Sequence, residues 1–224
     1  MTIVERALEL ISDGTLVGLG SGRASQQFVK ALGERVKAGK LKIQGVPTSI
    51  ETADLAKSVG IPLLTLAEAG TLDVTVDGAD EVDTNLDMIK GWGRALVREK
   101  IVAASSRRFI ILAGDEKLVT KLGCRGKLPV EVIPFGLSLC ERRLTELGCK
   151  PVLFMKDGKP FFTDNGNHIL DCGIEPTSDP AKLERDICNI PGVLDTGFFL
   201  GMADIVLIGD RDNFKLIEEK TRGK

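Results

Sequence analysis

The chain has 224 residues, 43% hydrophobic and 28% charged, the balance of a globular protein with a sizeable buried core. Thirty Lys and Arg against 32 Asp and Glu leave a formal charge of -2, which excludes the basic surface of a general nucleic-acid binder. No apolar run approaches the roughly 18 residues of a membrane span, and Met1 to Arg6 lacks the basic start of a signal peptide, so a cytoplasmic protein with no membrane partner is expected.

Leu16-Val17-Gly18-Leu19 reads as a buried strand, and residues 25–36 as a helix with Phe28, Val29, Leu32 and Val36 on one face. The turn between them carries Gly20, Ser21, Gly22 and Arg23. Glycines let backbone N–H groups close on an anion and a helix N-terminus adds its dipole, so phosphate is the natural guest. The glycine spacing matches neither a dinucleotide fingerprint nor a Walker A loop, and a tight turn with no ligand fits it as well. Residues 42–46 form a second strand. Thr48-Ser49-Ile50-Glu51 then has the spacing of a capping box, opening a helix that Gly60 ends.

Residues 72–76 form a third strand, stopping at Asp77-Gly78. Asp77, Asp80 and Glu81 crowd its end, and crowding raises at least one carboxyl pKa into the range that suits proton transfer. The same residues also suit an Asx turn with Glu81 in solvent. Lys90-Gly91-Trp92-Gly93 frees the backbone ahead of a helix over 95–104, which lets Lys90 turn inward and sets Glu99 at the flank of the core face. Arg98-Glu99-Lys100 is otherwise an ordinary solvated run. Residues 109–112 make a fourth strand. Strands alternating with helices imply an α/β fold, a Rossmann-like, mostly parallel sheet with helices on both faces.

The order changes from Leu128: strand 128–132, helix 136–147, strands 151–155 and 167–171, helix 180–189, strand 193–199. This β-α-β-β-α-β order is that of a ferredoxin-like α+β domain. Residues 203–208 are an apolar strand that wants both faces covered and so returns to the first sheet, followed by an amphipathic end helix. The expected division is a catalytic domain of residues 1–127 and 200–224, with an inserted domain of residues 128–199.

The rare residues narrow the chemistry. Five cysteines, at 124, 140, 149, 172 and 188, include no C-x-x-C pair, which gives neither a disulfide framework nor a zinc site. His168 is the only histidine and tyrosine is absent, so carboxylates and lysines must carry any proton transfer. No metal is expected.

Read together and in order, Val17-Gly18-Leu19-Gly20-Ser21-Gly22, Val76-Asp77-Gly78-Ala79-Asp80-Glu81, Met88-Ile89-Lys90-Gly91 and Arg98-Glu99-Lys100-Ile101 resemble the A-type ribose-5-phosphate isomerases. Leu128 to Pro134, Thr163 to Asn167, Ile190 to Val193 and Ala203-Asp204 extend the likeness over nearly the whole chain. The resemblance implies interconversion of D-ribose 5-phosphate and D-ribulose 5-phosphate in the non-oxidative pentose phosphate pathway, with no cofactor. It implies a small sugar phosphate as partner and a homodimer or homotetramer. By position, Glu99 resembles the base that moves a proton between C1 and C2, and Asp77 the group that assists ring opening and hydroxyl proton transfer. Asp80 and Lys90 resemble the residues that hold substrate oxygens and balance enediolate charge. Lys117 and Gly91 match positions near the substrate, Ser21 and Gly22 the phosphate loop, and Thr48-Ser49 a second loop lining the site. Arg23-Ala24 replaces two family hydroxyls, a family lysine near the N-terminus has no counterpart, and Trp92 and Arg94 interrupt a glycine run. Arg23 is accordingly expected to bind the substrate phosphate in place of the missing groups. Two other readings stay open: a sugar-phosphate sensor without turnover, against which no helix-turn-helix precedes the sheet, and an isomerase of another pentose or hexose phosphate.

Overall fold

The computed structural model describes residues 1–223, which divide into two compact units. Met1–Ala79, Arg98–Lys117 and the segment from Met202 form the first; Asp80–Val97 and Leu118–Gly201 form the second.

In the first unit the apolar runs become a sheet of six strands: β1 (Leu16–Leu19), β2 (Gln44–Pro47), β3 (Val74–Gly78), β4 (Phe109–Gly114), β5 (Ile205–Gly209) and β6 (Leu216–Thr221). Their spatial order is β6-β5-β4-β3-β1-β2, with β1 to β5 parallel and β6 antiparallel on the edge. The helices are α1 (Ile3–Glu9), α2 (Arg23–Lys37), α3 (Ile50–Ser58), α4 (Leu66–Ala69) and α5 (Leu96–Ala104).

Strand residues alternate between the two faces. Val17, Leu19, Val74, Val76, Ile110 and Leu112 share one buried cluster with α1 and α2, whereas Leu16 and Val46 join Leu72 and Val102 of α5 on the other. Helices thus cover both faces, as a parallel sheet requires. Phe28, Val29 and Leu32 of α2 are fully buried, each contributing about 1.5–3 kcal/mol relative to exposure. From β1 the chain steps outward to β2, then crosses back to β3 on the other side. The loops leaving β1 and β3 therefore part at a topological switch point, where open α/β sheets bind ligands.

The end of the chain corrects the sequence reading. The expected end helix is instead strand β6. Asp210 accepts backbone N–H groups of Asp212, Asn213 and Lys215, and Phe214 takes a positive φ of 55°, which turns the chain back alongside β5. Helical spacing was a false lead there because β6 is an edge strand carrying Glu218, Glu219 and Lys220, and charged edges blunt further pairing. Helix α1, with Ile3, Val4, Ala7 and Leu8 buried, was not anticipated.

The second unit holds a four-stranded antiparallel sheet from residues 128–132, 150–153, 168–173 and 193–196, with helices Leu137–Glu146 and Pro180–Cys188. In chain order its strands lie fourth, first, third, second, the split β-α-β pattern. The strand expected over 193–199 breaks at Gly197. Its second part, Phe198–Phe199, pairs with Met88–Ile89, which pairs in turn with Glu81–Val82. That small sheet is why Asp80–Val97 groups with the second unit, whereas the sequence reading put those residues in the first. An unforeseen hairpin joins Met155–Lys156 to Lys159–Pro160 through Asp157-Gly158, both at positive φ as a two-residue hairpin turn prefers.

All five cysteines carry free thiols; burial pushes the thiol pKa values of Cys140, Cys149 and Cys172 up. Among the described residues no helix is long and apolar enough to cross a membrane, and no group of three or more His, Cys, Asp or Glu could hold a metal ion.

Candidate active site

In the first unit the sequence-predicted site residues come from the C-terminal edge of the sheet. Gly20, Ser21 and Gly22 follow β1, Thr48 and Ser49 follow β2, and Asp77 closes β3. Lys117 ends the short 3-10 turn Asp115–Lys117 after β4 and is partly exposed. Glu99 sits in the first turn of α5, three residues before Val102 and so on the same helix face, which packs on the sheet. Its side chain is only 3% exposed.

Asp77 organises the β1 loop. Fully buried, it accepts at Oδ1 from the backbone N–H of Ser21 (3.1 Å), the Ser25 hydroxyl (3.0 Å) and the N–H of Gly78 (2.7 Å). A Cβ at Gly20 would stand 2.2 Å from that same oxygen, so only glycine allows the loop this close to the carboxylate. Gly22, the N-cap of α2, has φ 89°, which a side chain would strain. No side chain caps α2, so its first N–H groups are left pointing past Gly22.

Beside this terminus four hydroxyls converge. Ser21 Oγ lies 2.8 Å from Thr48 Oγ1, 2.9 Å from Ser49 Oγ and 3.1 Å from Thr52 Oγ1. Thr48 and Thr52 are anchored on the carbonyls of Leu19 and Gly20. Ser49, not Thr48, is the N-cap of α3, accepting from Thr52 N; the expected capping box does not form, because Thr52 rather than Glu51 stands at the third helical position and Glu51 instead accepts from Gln26. Thr52 and Ser25 were not singled out by sequence reasoning. Thr52 is four residues beyond Thr48 and Ser25 three beyond Gly22, spacings that bring them back to the loop on a helix. Arg23 is exposed, its guanidinium 5.0 Å from the Phe214 ring centroid.

The second unit holds Asp80, Lys90 and Gly91. Lys90 is 2% exposed, its ammonium 5.2 Å from the centre of the Phe199 ring and its backbone N–H bonded to Gly197 O at 2.8 Å. Asp80 N donates to Ile89 O, and Asp80 Oδ2 accepts from Trp92 N at 2.9 Å.

Glu81 is neither in solvent nor poised for catalysis. It is fully buried, and its two oxygens accept from the backbone of Arg125 (2.7 Å) and Gly123 (2.6 Å). Burial pushes its carboxyl pKa up, those two donors pull it back, and the Asp80 charge is the smallest contribution. Crowding of three acids is therefore a minor cause. Glu81→Ala should lower stability by roughly 2 kcal/mol, because it strands the buried N–H of Gly123 and the partly buried N–H of Arg125. A urea midpoint equal to the parent's would show that the 123–125 loop does not depend on the carboxylate.

The sequence profile of ribose 5-phosphate isomerase A (phosphoriboisomerase A) matches residues 44–213. The chain belongs to this family. It is an enzyme. A ribose-5-phosphate isomerase A of Roseiflexus castenholzii is 48% identical over 216 residues, covering 96% of this chain and 92% of its own. Among solved structures, the ribose 5-phosphate isomerase A of Methanocaldococcus jannaschii superimposes with a TM-score of 0.91 at 38% identity, covering 98% of this chain and 96% of that one. A D-ribose-5-phosphate isomerase in complex with phospho-erythronic acid gives a TM-score of 0.93 at 39% identity over 98% of this chain and 96% of that chain.

Proposed function

We propose that the chain interconverts D-ribose 5-phosphate and D-ribulose 5-phosphate through an enediolate, as a step of the non-oxidative pentose phosphate pathway. The observation that carries this reading is Glu99, a carboxylate withdrawn from water in the first turn of a helix that meets the sheet at its ligand-binding edge. Surface glutamates stay in water; a buried one at such an edge suits proton transfer.

Glu99 takes the proton from C2 of the open-chain aldose and returns it to C1, while the hydroxyl proton at O2 moves to O1. Asp77 exchanges the protons of ring opening and of that hydroxyl transfer. Asp80 holds substrate hydroxyls, and the Lys90 ammonium offsets the charge that grows on the enediolate oxygen, a contribution of a few kcal/mol from a preorganised group. The uncapped start of α2 and the hydroxyls of Ser21, Thr48, Ser49 and Thr52 take the phosphate, by the combined pull of N–H groups and helix dipole. The phospho-erythronic acid bound by the related structure carries a phosphate and a carboxylate on a four-carbon chain, the chemistry of such a phosphorylated anionic intermediate.

The test is turnover of a panel of aldose phosphates in the presence of excess EDTA. Ribose 5-phosphate should be converted with the highest kcat/KM and without loss on chelation. Preference for another pentose or hexose phosphate, binding without turnover, or activity restored only by a divalent ion would each overturn the reading.

Arg23 is proposed to complete the phosphate contacts. Its position at the start of α2 puts a guanidinium, able to contact two phosphate oxygens, beside the helix dipole, and the Phe214 ring limits where it can go. Arg23→Met should raise KM for ribose 5-phosphate about tenfold, with kcat much less affected. If KM and competitive inhibition by inorganic phosphate both stay unchanged, the stack on Phe214 is the whole of its role.

The homodimer or homotetramer remains part of the proposal. Phe135, fully exposed, is the apolar side chain of the second unit most open to solvent and is offered as the centre of the contact; Val152, Phe162 and Ile133 are exposed as well.

A further inference from the structure

We propose that Arg94 is a positioning residue, a clamp on the loop Gly91–Arg94 that keeps Lys90 and Asp80 in the places their proposed roles need; the inference rests on the isomerase reading. The first sign is the backbone. Arg94 has φ 72°, in the left-handed region that a residue with a side chain enters only when its surroundings hold it there.

The holding groups are well defined. Arg94 Nη1 and Nη2 reach the two oxygens of Asp171 at 2.5 and 3.0 Å, a paired fork, and the guanidinium carbon lies 3.6 Å from the centre of the Phe154 ring. The arginine side chain is 10% exposed and Asp171 18%. Asp171 belongs to strand His168–Gly173, in the interior of the four-stranded sheet, and Lys127 also reaches it at 2.9 Å. A lysine at position 94 could supply charge but neither the planar fork nor the stack.

The loop so anchored follows Lys90 directly in the chain and bonds the Asp80 carboxylate. Arg94 N donates to Gly91 O, closing a tight turn with Gly91 at φ 96° directly after Lys90. Within that turn Trp92 N donates to Asp80 Oδ2, and the indole N–H donates to Lys127 O at 3.2 Å. Arg125 and Lys127 flank the indole ring, at 5.2 and 5.4 Å from its centre. Two routes therefore converge on Asp171 and Lys127: one from the Arg94 side chain, one from Trp92. If the loop relaxes, the Asp80 carboxylate loses its N–H partner and Lys90 loses its fixed C-terminal neighbour.

Trp92 is the only tryptophan in the chain, so its fluorescence reports this loop directly. The experiment compares R94M, R94G, R94K and D171N with the parent protein, by thermal melting, by kinetics on ribose 5-phosphate and by acrylamide quenching of Trp92. R94M and R94G should each lose about tenfold or more in kcat while KM changes far less, since the affected groups act on the reacting end and not on the phosphate. Quenching should rise in both, and D171N should match them. The double variant R94M/D171N should be no worse than either single one, as for two members of one contact. R94K should recover part of kcat. Full recovery in R94G would mean that only the positive φ matters, and parent-like kcat and quenching in R94M would mean that the clamp is idle; either overturns the proposal. Should R94M fail to fold, R94K and D171N decide, because D171N keeps both oxygen-side positions filled. If the parent protein turns over no ribose 5-phosphate, the isomerase reading falls, and the quenching comparison still decides whether Arg94 holds the loop.

Discussion

Glu99→Gln is expected to lower kcat by about a hundredfold or more while leaving the melting temperature close to that of the parent. Glutamine keeps the size of the side chain and its hydrogen-bonding capacity, and it removes the basicity. Because Glu99 is 3% exposed and glutamine fills the same volume, the substitution opens no cavity and the packing around it should persist. The loss should appear equally in kcat and kcat/KM, the signature of an interaction made in the transition state. Near-normal kcat in a folded Glu99→Gln protein would make Glu99 a buried helix residue with no part in proton transfer.

Asp77→Asn is expected to slow the cyclic substrate by about ten- to a hundredfold and an open-chain analogue much less. Asparagine's carbonyl can occupy the Oδ1 position and still accept from Ser21 N, Ser25 Oγ and Gly78 N, so the β1 loop should stay closed. What it loses is the second oxygen as a proton acceptor. Asp77→Ala separates the two roles, because it strands all three donors and should lower both stability and activity. Equal losses on cyclic and open-chain substrates in Asp77→Asn would remove Asp77 from ring opening and leave it as the organiser of the loop.

Local pattern carried much of the fold. β1 and the strand 128–132 were legible to the residue, the first because Leu16 to Leu19 is a short run without polar side chains, the second because Leu128, Val130 and Val132 alternate at strand spacing. The α2 face was legible for the same reason: Phe28, Val29 and Leu32 recur at helical spacing and are all buried. What failed were features decided by pairing. Nothing local in Leu216 to Thr221 says that β5 needs an edge partner, and nothing in Val193 to Phe199 says that Gly197 divides the run between two sheets. The grouping of Asp80–Val97 with the second unit depends on the same long-range pairing of residues 88–89 with 198–199.

The candidate site divides in a similar way. Residue type and order pointed to Gly20, Ser21, Thr48, Ser49, Asp77, Lys90 and Glu99, and the structure buries Thr48, Asp77, Lys90 and Glu99. Burial was not legible from sequence, since Arg98-Glu99-Lys100 alone looks like a solvated run. Nor were the supporting contacts. Ser25 and Thr52 are unremarkable hydroxyls until the helices bring them to Asp77 and Ser21, and Asp171 lies 77 residues from Arg94 in the chain. Glu81 shows the opposite error, an acid adjacent to catalytic candidates whose oxygens are both spent on a neighbouring loop.

The most direct test follows the carbon-bound proton. Ribose 5-phosphate is equilibrated with the protein in deuterium oxide over many turnovers, and deuterium at C2 of the aldose and C1 of the ketose is read by NMR. If Glu99 shuttles the proton through an enediolate, solvent exchange on that carboxylate must load deuterium onto both carbons in the parent protein, and Glu99→Gln must abolish labelling and turnover together. Conversion without any deuterium on carbon, or labelling that survives in Glu99→Gln, contradicts it.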